Sequence, residues 1–389
     1  MHNATSHARH TFKLSLLAVA IGAASFSAIE QASAFTAYED ANNRFIINGR
    51  IAGNYTWNRG GVDGEDNFKN QASRINLVYE HYFADDWTAL ARTEWGFDPF
   101  FENGDDNHTK RHQYVGVKHP VYGTVLLGQQ WSIYYDMVGI MTDQLWVYGA
   151  EAQGSFNGNM GNGFQGLSRP NQSISYRNTW DDLTWGLMYG TSTGENKSDL
   201  VGFDSVTGNP EYVSRGGERR YFAQTALSWK ASEDLTLAAA YNYSRIEQHY
   251  VTSDAGQVTE DPNVNAWLLG ASWTPGNWYL AVTAGEQRNL RGQGNGAYQS
   301  ARGYEGVARY TFPELTSFGD VQLYSAVNRY EDKDTSQRAS YYVLGTALVA
   351  FDSKLILALE HRFNDNKTAS GSNTTADKDS TALLVRYNY

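Results

Sequence analysis

The sequence contains no cysteine, which rules out a disulfide framework, thiolate catalysis and any thiolate metal site. Proline is scarce at 7 of 389 residues, so long stretches are free to run as uninterrupted strands. Basic residues are outnumbered, 31 Lys and Arg against 42 Asp and Glu. That balance argues against general nucleic-acid binding, which needs positive charge over an extended surface. Beyond residue 24 no apolar run approaches the roughly 20 residues that a membrane-spanning helix requires. A Walker loop, a G-x-S-x-G elbow and an H-E-x-x-H site are all missing, so no enzyme is expected. No cofactor or metal site is expected either. Acidic pieces such as Gly104-Asp105-Asp106-Asn107 and Asp332-Lys333-Asp334 lack EF-hand spacing and read as solvated loops, with a loosely held surface cation as the lesser alternative.

What is present begins with a leader. Residues 1–13 carry His2, His7, Arg9, His10 and Lys13 and no acid; Leu14 to Ala24 is a short apolar stretch, and Ala32-Ser33-Ala34 has the small-residue form of a cleavage site. Residues 1–34 therefore read as a secretory signal peptide, with Phe35 the first mature residue. Removing Arg9, Lys13 and Glu30 with the leader leaves 29 bases and 41 acids, a net charge of −12. Nothing in residues 35–389 marks a boundary, so one domain is expected.

Glycine (37), tyrosine (26) and tryptophan (11) are plentiful, yet the mean hydropathy is negative. Alternation reconciles the two. In Asp234 to Ser244 one face reads Leu235, Leu237, Ala239, Tyr241, Tyr243 and the other Thr236, Ala238, Ala240, Asn242, Ser244. Lys354 to Phe363 sets Leu355, Leu357, Leu359, His361 and Phe363 against Lys354, Ile356, Ala358, Glu360 and Arg362. Ser73 to Phe83 sets Ile75, Leu77, Tyr79, His81 and Phe83 against Arg74, Asn76, Val78, Glu80 and Tyr82. A period of two is a strand with one face in oil and one in water. Charges on the second face would be costly in a sandwich core but not in a wet lumen.

Seven short connections recur: near 84–86, 119–123, 180–182, 231–234, 274–277, 313–320 and 351–353. Eight longer polar ones alternate with them, near 58–72, 98–110, 131–170, 192–217, 246–261, 288–298, 331–336 and 364–378. Short turns on one side and long loops on the other are the asymmetry of an outer-membrane barrel. The segments between them number sixteen: 44–57, 73–83, 86–97, 111–118, 122–130, 171–180, 183–191, 218–230, 234–245, 262–273, 277–287, 299–312, 320–330, 337–350, 354–363 and 379–389. An even count closes an antiparallel sheet without an edge in lipid, and sixteen strands enclose an aqueous channel.

Several segments carry a family likeness. Gly49-Arg50-Ile51-Ala52-Gly53 resembles the opening strand of the general, non-specific porins of Gram-negative outer membranes. Arg111 to Lys118 and Tyr122 to Gly128 resemble their fourth and fifth strands. Residues 131–149, WSIYYDMVGIMTDQLWVYG, resemble the start of their long third loop, and Ser175-Tyr176-Arg177-Asn178 the strand after it. The terminal Tyr389 resembles the family's final aromatic, more often Phe. The resemblance covers nearly all of 35–389. It implies an all-β, sixteen-stranded antiparallel transmembrane barrel in the cell outer membrane, with the third loop (131–170) folded into the lumen. It also implies a homotrimer, and Gly49 and Gly53 give strand one a small outward face suited to close approach.

The resemblance further implies a constriction built from wall bases facing loop acids. By position Arg50, Arg74, Arg111 and Arg177 match the bases, and Arg92 shares their lumen phase. Asp143 matches one loop acid. Val147 stands where the family has a second, and Glu151, two residues past Gly149, is the candidate substitute. Read singly, Arg50, Arg74, Arg92 and Arg177 are each better taken as a routine lumen base paired with a nearby Glu80 or Glu94; as a group with loop acids opposite, they favour the constriction role. Arg215, Arg219 and Arg220 face either anionic lipopolysaccharide or solvent.

The function expected is passive diffusion of ions and small hydrophilic solutes. Selectivity should be weak, with cation preference greatest at low salt, because the net charge draws cations to the mouths while the arginines act at the waist. A sugar-specific channel would need eighteen strands and an aromatic slide, and a barrel enzyme a catalytic Ser-His or Asp-His group; neither set is assembled. Phage reception or adhesion by outer loops is compatible with a pore.

Overall fold

A computed structural model describes residues 35–58, 68–100, 108–149, 165–193, 200–203, 210–212, 216–251, 257–260, 263–289, 300–367, 370–372 and 379–389. Sixteen strands form its wall: β1 (Asn43–Asn58), β2 (Arg74–Tyr82), β3 (Thr88–Gly96), β4 (Thr109–His119), β5 (Gly123–Gln129), β6 (Ser173–Trp180), β7 (Leu183–Gly190), β8 (Gly216–Lys230), β9 (Leu235–Val251), β10 (Asn263–Trp273), β11 (Trp278–Arg288), β12 (Ser300–Thr316), β13 (Gly319–Asp332), β14 (Arg338–Ala350), β15 (Leu355–Asn364) and β16 (Ser380–Asn388). Each pairs antiparallel with the next, and β16 returns to β1 through Asn388↔Arg50 to Ser380↔Asn58, which closes the barrel. Below the point where β16 ends, the segment Phe35–Glu39 takes over as partner of β1, with Phe35 opposite Ile47.

The two faces are sorted by solvent. On β16, Leu383, Val385 and Tyr387 point outward while Ala382, Leu384, Arg386 and Asn388 are buried inward. The outward row continues with Leu357 and Leu359 on β15, Leu344 on β14 and Leu323 and Val327 on β13. At the short-turn end it gives way to rings: Trp180 stacks on Trp185 with centroids 5.4 Å apart, Trp87 on Tyr122 at 5.9 Å, and Trp278 meets Tyr310 at 4.9 Å. An apolar band ending in aromatics is the outer surface of a transmembrane barrel.

Tight turns close this end. Asp85 and Asp86, Asp181, and Phe351 with Asp352 and Ser353 all have positive φ, and the aspartates are among the residues that tolerate it. One turn differs from expectation. Residues 313–316, expected to belong to a connection, extend β12, and the ladder to β13 slips between Phe312 and Thr316. Pro313 lacks the N–H to pair, and Glu314 adopts φ 49; the strand absorbs both as an irregular bulge.

The small face of β1 is covered by this chain's own rings. A Cβ at Gly49 would lie 2.8 Å from the Tyr389 ring, and one at Gly53 2.5 Å from the ring of Phe100. Tyr389 thus reaches from β16 across β1, and its hydroxyl donates to the Arg74 carbonyl on β2 at 3.3 Å. The two glycines therefore serve intramolecular packing rather than approach of a neighbouring wall.

Wall height is uneven. Strands β5, β6 and β7 have 7, 8 and 8 residues, and β2 and β3 have 9 each. Strands β8, β9 and β12 have 15, 17 and 17.

Candidate channel constriction

The chain leaves β5 at Gln129 and turns inward. Ser132 caps the helix α1 (Ile133–Met137), its hydroxyl accepting from the Tyr135 N–H at 3.1 Å. A 3₁₀ turn, Gly139–Met141, follows. Ile133, Tyr134, Met137, Val138 and Met141 pack on inward apolar residues of the wall, among them Phe222, Ala240, Ala266, Leu268 and Val307. This explains why those lumen positions are apolar: they face the loop, not water. The described part of the third loop, 131–149 and 165–170, thus lies inside the barrel.

Polar groups fix its course. Thr142 donates to Glu305 on β12 at 2.5 Å. Tyr279 donates to the Met141 carbonyl at 2.8 Å, and Tyr341 to the Gly149 carbonyl at 2.6 Å. Glu360, fully buried on β15, accepts from the backbone N–H groups of Trp146 (2.7 Å), Val147 (3.2 Å) and Tyr148 (2.9 Å) and from the Tyr324 hydroxyl (2.8 Å). Gln71 holds the opposite edge, donating to the Trp146 and Val147 carbonyls at 3.3 and 3.0 Å. The returning limb is tied to β9, where Ser244 donates to the Gln165 carbonyl at 2.6 Å.

Strands β1–β4 carry the bases. Arg50 and Arg74 are direct cross-strand partners. Glu94 on β3 receives Arg74 at 3.4 Å, Arg92 at 2.6 Å and Arg111 at 2.5 Å. The ladder slips between Glu94 and Trp95, opposite Arg111 and His112, and His112 is buried 5.3 Å from the Trp131 ring. Arg50 donates from Nε to the Ala72 carbonyl at 2.9 Å. Arg169, on the returning limb, lies over Trp131 at 4.6 Å. Its burial, then the Arg111 and Arg74 cations, lower its pKa to about 9, so it stays charged at neutral pH.

Four of the expected residues therefore meet: Arg50, Arg74, Arg92 and Arg111. Arg177 on β6 stands apart and binds Asp136 of α1 at 2.6 Å. Asp143 accepts from the Tyr135 hydroxyl at 2.7 Å; burial, then Asp143 itself, hold that hydroxyl well above its usual pKa. Glu151 and Arg215 lie outside the described residues. The acid at the centre of the fan is the wall's Glu94, and Asp136, a loop acid outside the expected set, engages Arg177. Arg219 is fully buried, donating to the Thr191 and Asn171 carbonyls at 3.1 and 2.8 Å; it meets neither solvent nor lipid. Arg220 is exposed, paired with Glu218 at 3.0 Å and with Glu247. Asp332 caps its own turn, accepting from the N–H groups of Asp334 and Thr335 at 3.0 and 2.8 Å.

Sequence reasoning did not single out Asp136, Arg169, Arg386, Glu305 or Glu360 for the waist. Asp136 sits inside the loop segment that carried the family likeness, and Arg386 and Glu360 fall on lumen phases. Those two signals could have nominated all three.

A family model described as Gram-negative porin matches residues 15–347. Outer membrane protein S2 of Salmonella typhi is 25% identical over 76% of this chain and 80% of its own length. Among solved structures, Salmonella typhi OmpF in complex with daunomycin superposes with a TM-score of 0.68 at 18% identity, covering 91% of this chain and 100% of that one. The trimer form of OmpT, an outer membrane protein of Vibrio cholerae, gives 0.56 at 15% identity, over 90% and 100%.

Proposed function

The chain belongs to the Gram-negative porin family, and from that premise we propose that it works as a trimeric, weakly ion-selective diffusion pore. It is an integral outer-membrane β-barrel and a channel for small solutes. The observation that carries the finer reading is the third loop, folded inside and tied to Glu305 and Glu360 while an arginine fan lines β1–β4. Such a waist leaves a narrow aqueous path between fixed charges, which orients polar solutes and biases ions. Arg50, Arg74, Arg92, Arg111 and Arg177 act there as bases, and Asp143 and Glu151 as loop acids. Liposome swelling with sugars of rising size tests this: small sugars should enter and larger ones should not. Uptake of none, or of one sugar alone, would sink it.

Selectivity follows from two opposed fields. The net charge of the mature chain favours cations at the mouths and is screened beyond about 10 Å at 0.1 M salt. The waist arginines lie closer to a passing ion and outlast that screening. Cation preference is therefore strongest at low salt and fades as salt rises.

The trimer reading rests on the low wall. Three of the four strands β2–β5 have 7 to 9 residues and, at about 3.3 Å per residue and a tilt of about 40°, stand roughly 18–23 Å tall, short of the ~25 Å apolar band, while β4 between them has 11. Across that wall Thr93, Gln113 and Gln129 face outward in register, Thr93 donating to Gln113 at 2.8 Å. Amides are costly against lipid. Beside them lies an outward groove of about 440 Å³ lined by Leu77, Ala91, Val115 and Leu127. Another copy docked on β2–β5 covers both. Lipid and lipopolysaccharide contact the remaining outer face. Removal of residues 1–34 during export leaves Phe35 as the first mature residue.

A further inference from the structure

The wall opposite the low strands carries an uneven charge. On the sixteen-strand ring, β11–β13 lie eight strands round from β3–β5. At the long-loop end their outward residues are Glu286 and Arg288 on β11, Arg302 on β12, and Arg329 and Glu331 on β13, with Lys333 just past the end of β13. Four cations thus meet two carboxylates, on a mature chain whose net charge is −12.

Internal pairing does not use these cations up. Glu331 serves two guanidiniums, Arg302 through Nε and Arg329, each at 2.5 Å. The side chains of Arg302 and Arg329 remain 46% and 45% exposed, and the terminal nitrogens of Arg302 have no hydrogen-bond partner among the described residues. Lys333 reaches Glu286 at 3.2 Å. Arg288, across Ser300 from Lys333, has no acid partner among the described residues. Exposed pairs of this kind are weak, so the groups stay available. Strands β8 and β9 differ: Arg220 and Arg245 share that outward face with Glu218 and Glu247, two against two, and Arg220 binds both acids.

The surplus sits at one height. Tyr310 on β12 meets Trp278 in the aromatic zone of the short-turn end. Arg302 is eight residues away along the strand, about 20 Å up the wall at ~3.3 Å per residue and ~40° tilt, near the upper rim of a ~25 Å apolar band. Between these levels, Val282, Gly306 and Val327 form an apolar outward row in register. A ligand that fits the whole face has acyl chains for this row and anionic groups for the cations above it. Phosphate suits guanidinium forks in geometry as well as charge.

We propose that the outward face of β11–β13 docks the phosphate groups of lipopolysaccharide, with its acyl chains on the apolar row below. This site deepens the reading that lipopolysaccharide contacts the outer face, and it rests on that reading.

The test is binding of lipid A bearing both phosphates, and of the same lipid after dephosphorylation, to the full-length mature protein in detergent. Wild type should prefer the phosphorylated lipid by about tenfold or more. Arg302→Gln with Arg329→Gln should lose most of that preference. Arg220→Gln with Arg245→Gln removes the same charge from β8 and β9 and should keep it. Sugar entry in liposome swelling, which reads the pore, should be alike in all three proteins. A preference unchanged in the Arg302, Arg329 variant, or lost equally in both variants, would overturn the site while leaving lipopolysaccharide contact elsewhere on the wall. Failure of wild type to bind either lipid would remove the contact and the site together. Displacement of the lipid by an equal concentration of inorganic phosphate would make this a free-anion site and contradict lipid docking.

Discussion

Glu360 on β15 takes the Tyr148 N–H at 2.9 Å and, through the same carboxylate, the N–H groups of Trp146 and Val147. A wall carboxylate therefore gathers three consecutive backbone donors of the third loop, at the stretch where the family's motif has its own acid and this chain has Val147. The loop's position depends on this contact and on the Thr142–Glu305 bond. Each buried donor left without an acceptor costs about 1–3 kcal/mol. Glu360→Ala strands three backbone N–H groups and the Tyr324 hydroxyl, so the loop should loosen by several such increments. Single-channel records should become noisier and the third loop more open to protease, with the barrel still folded. Quiet records of wild-type conductance would show that the loop is held elsewhere.

Arg177 and Asp136 form an ion pair between an expected base and the loop, and Asp136 is almost wholly buried. Removing one partner of a buried pair typically costs about 3–5 kcal/mol, while removing both costs less. Arg177→Ala alone should lower the melting temperature more than Arg177→Ala with Asp136→Ala together. Purely additive losses in thermal unfolding would mean that the pair is not coupled.

The terminal ring packs over Gly49 and its hydroxyl reaches the Arg74 carbonyl at a long 3.3 Å. Tyr389→Phe keeps the ring and forfeits one weak bond, at most about 1 kcal/mol. Tyr389→Ala removes the cover from the seam. Heat-modifiable gel migration after refolding should therefore rank wild type and Tyr389→Phe together, well above Tyr389→Ala. A Phe variant as impaired as the Ala variant would place the weight on the hydroxyl.

If another copy covers the low wall, filling the groove beside Ala91 should block it. Ala91→Trp is expected to lower the temperature at which unboiled trimer falls to monomer, and Leu359→Trp, on the outward face of β15, is not. Equal trimer melting for all three proteins would move the interface off β2–β5.

Much of this fold is readable from period two alone, because lipid and water impose opposite demands on alternate residues of every wall strand. The reading fails where that contrast fades. Strand β9 runs to Val251 rather than 245, since above the membrane both faces meet water and alternation no longer distinguishes strand from loop. Pro313 signals a turn, but the ladder closes around it as a bulge. At the waist, Arg50, Arg74 and Arg92 are legible from their lumen phase. Arg111 sits opposite a slip in the ladder, so simple alternation does not assign its face, and only family position nominates it. Glu360 and Asp136 act across more than 40 residues of sequence, a separation that no local pattern carries. Arg219 looks like a surface base beside Arg220, yet it is buried and donates to the backbone carbonyls of Asn171 and Thr191.

The central claim is that a water-filled pore narrows between the arginine fan and the inward loop. Reversal potential across a planar bilayer, recorded in a KCl gradient at low and then high mean salt, tests it most directly. Wild type should prefer cations at low salt and approach zero selectivity as salt rises. Arg74→Ala with Arg177→Ala should raise conductance and shift the reversal potential towards cations at both salts, and Asp143→Asn should shift it towards anions. Conductance and reversal potential that are the same in all three proteins would place these residues away from the ion path and contradict the account.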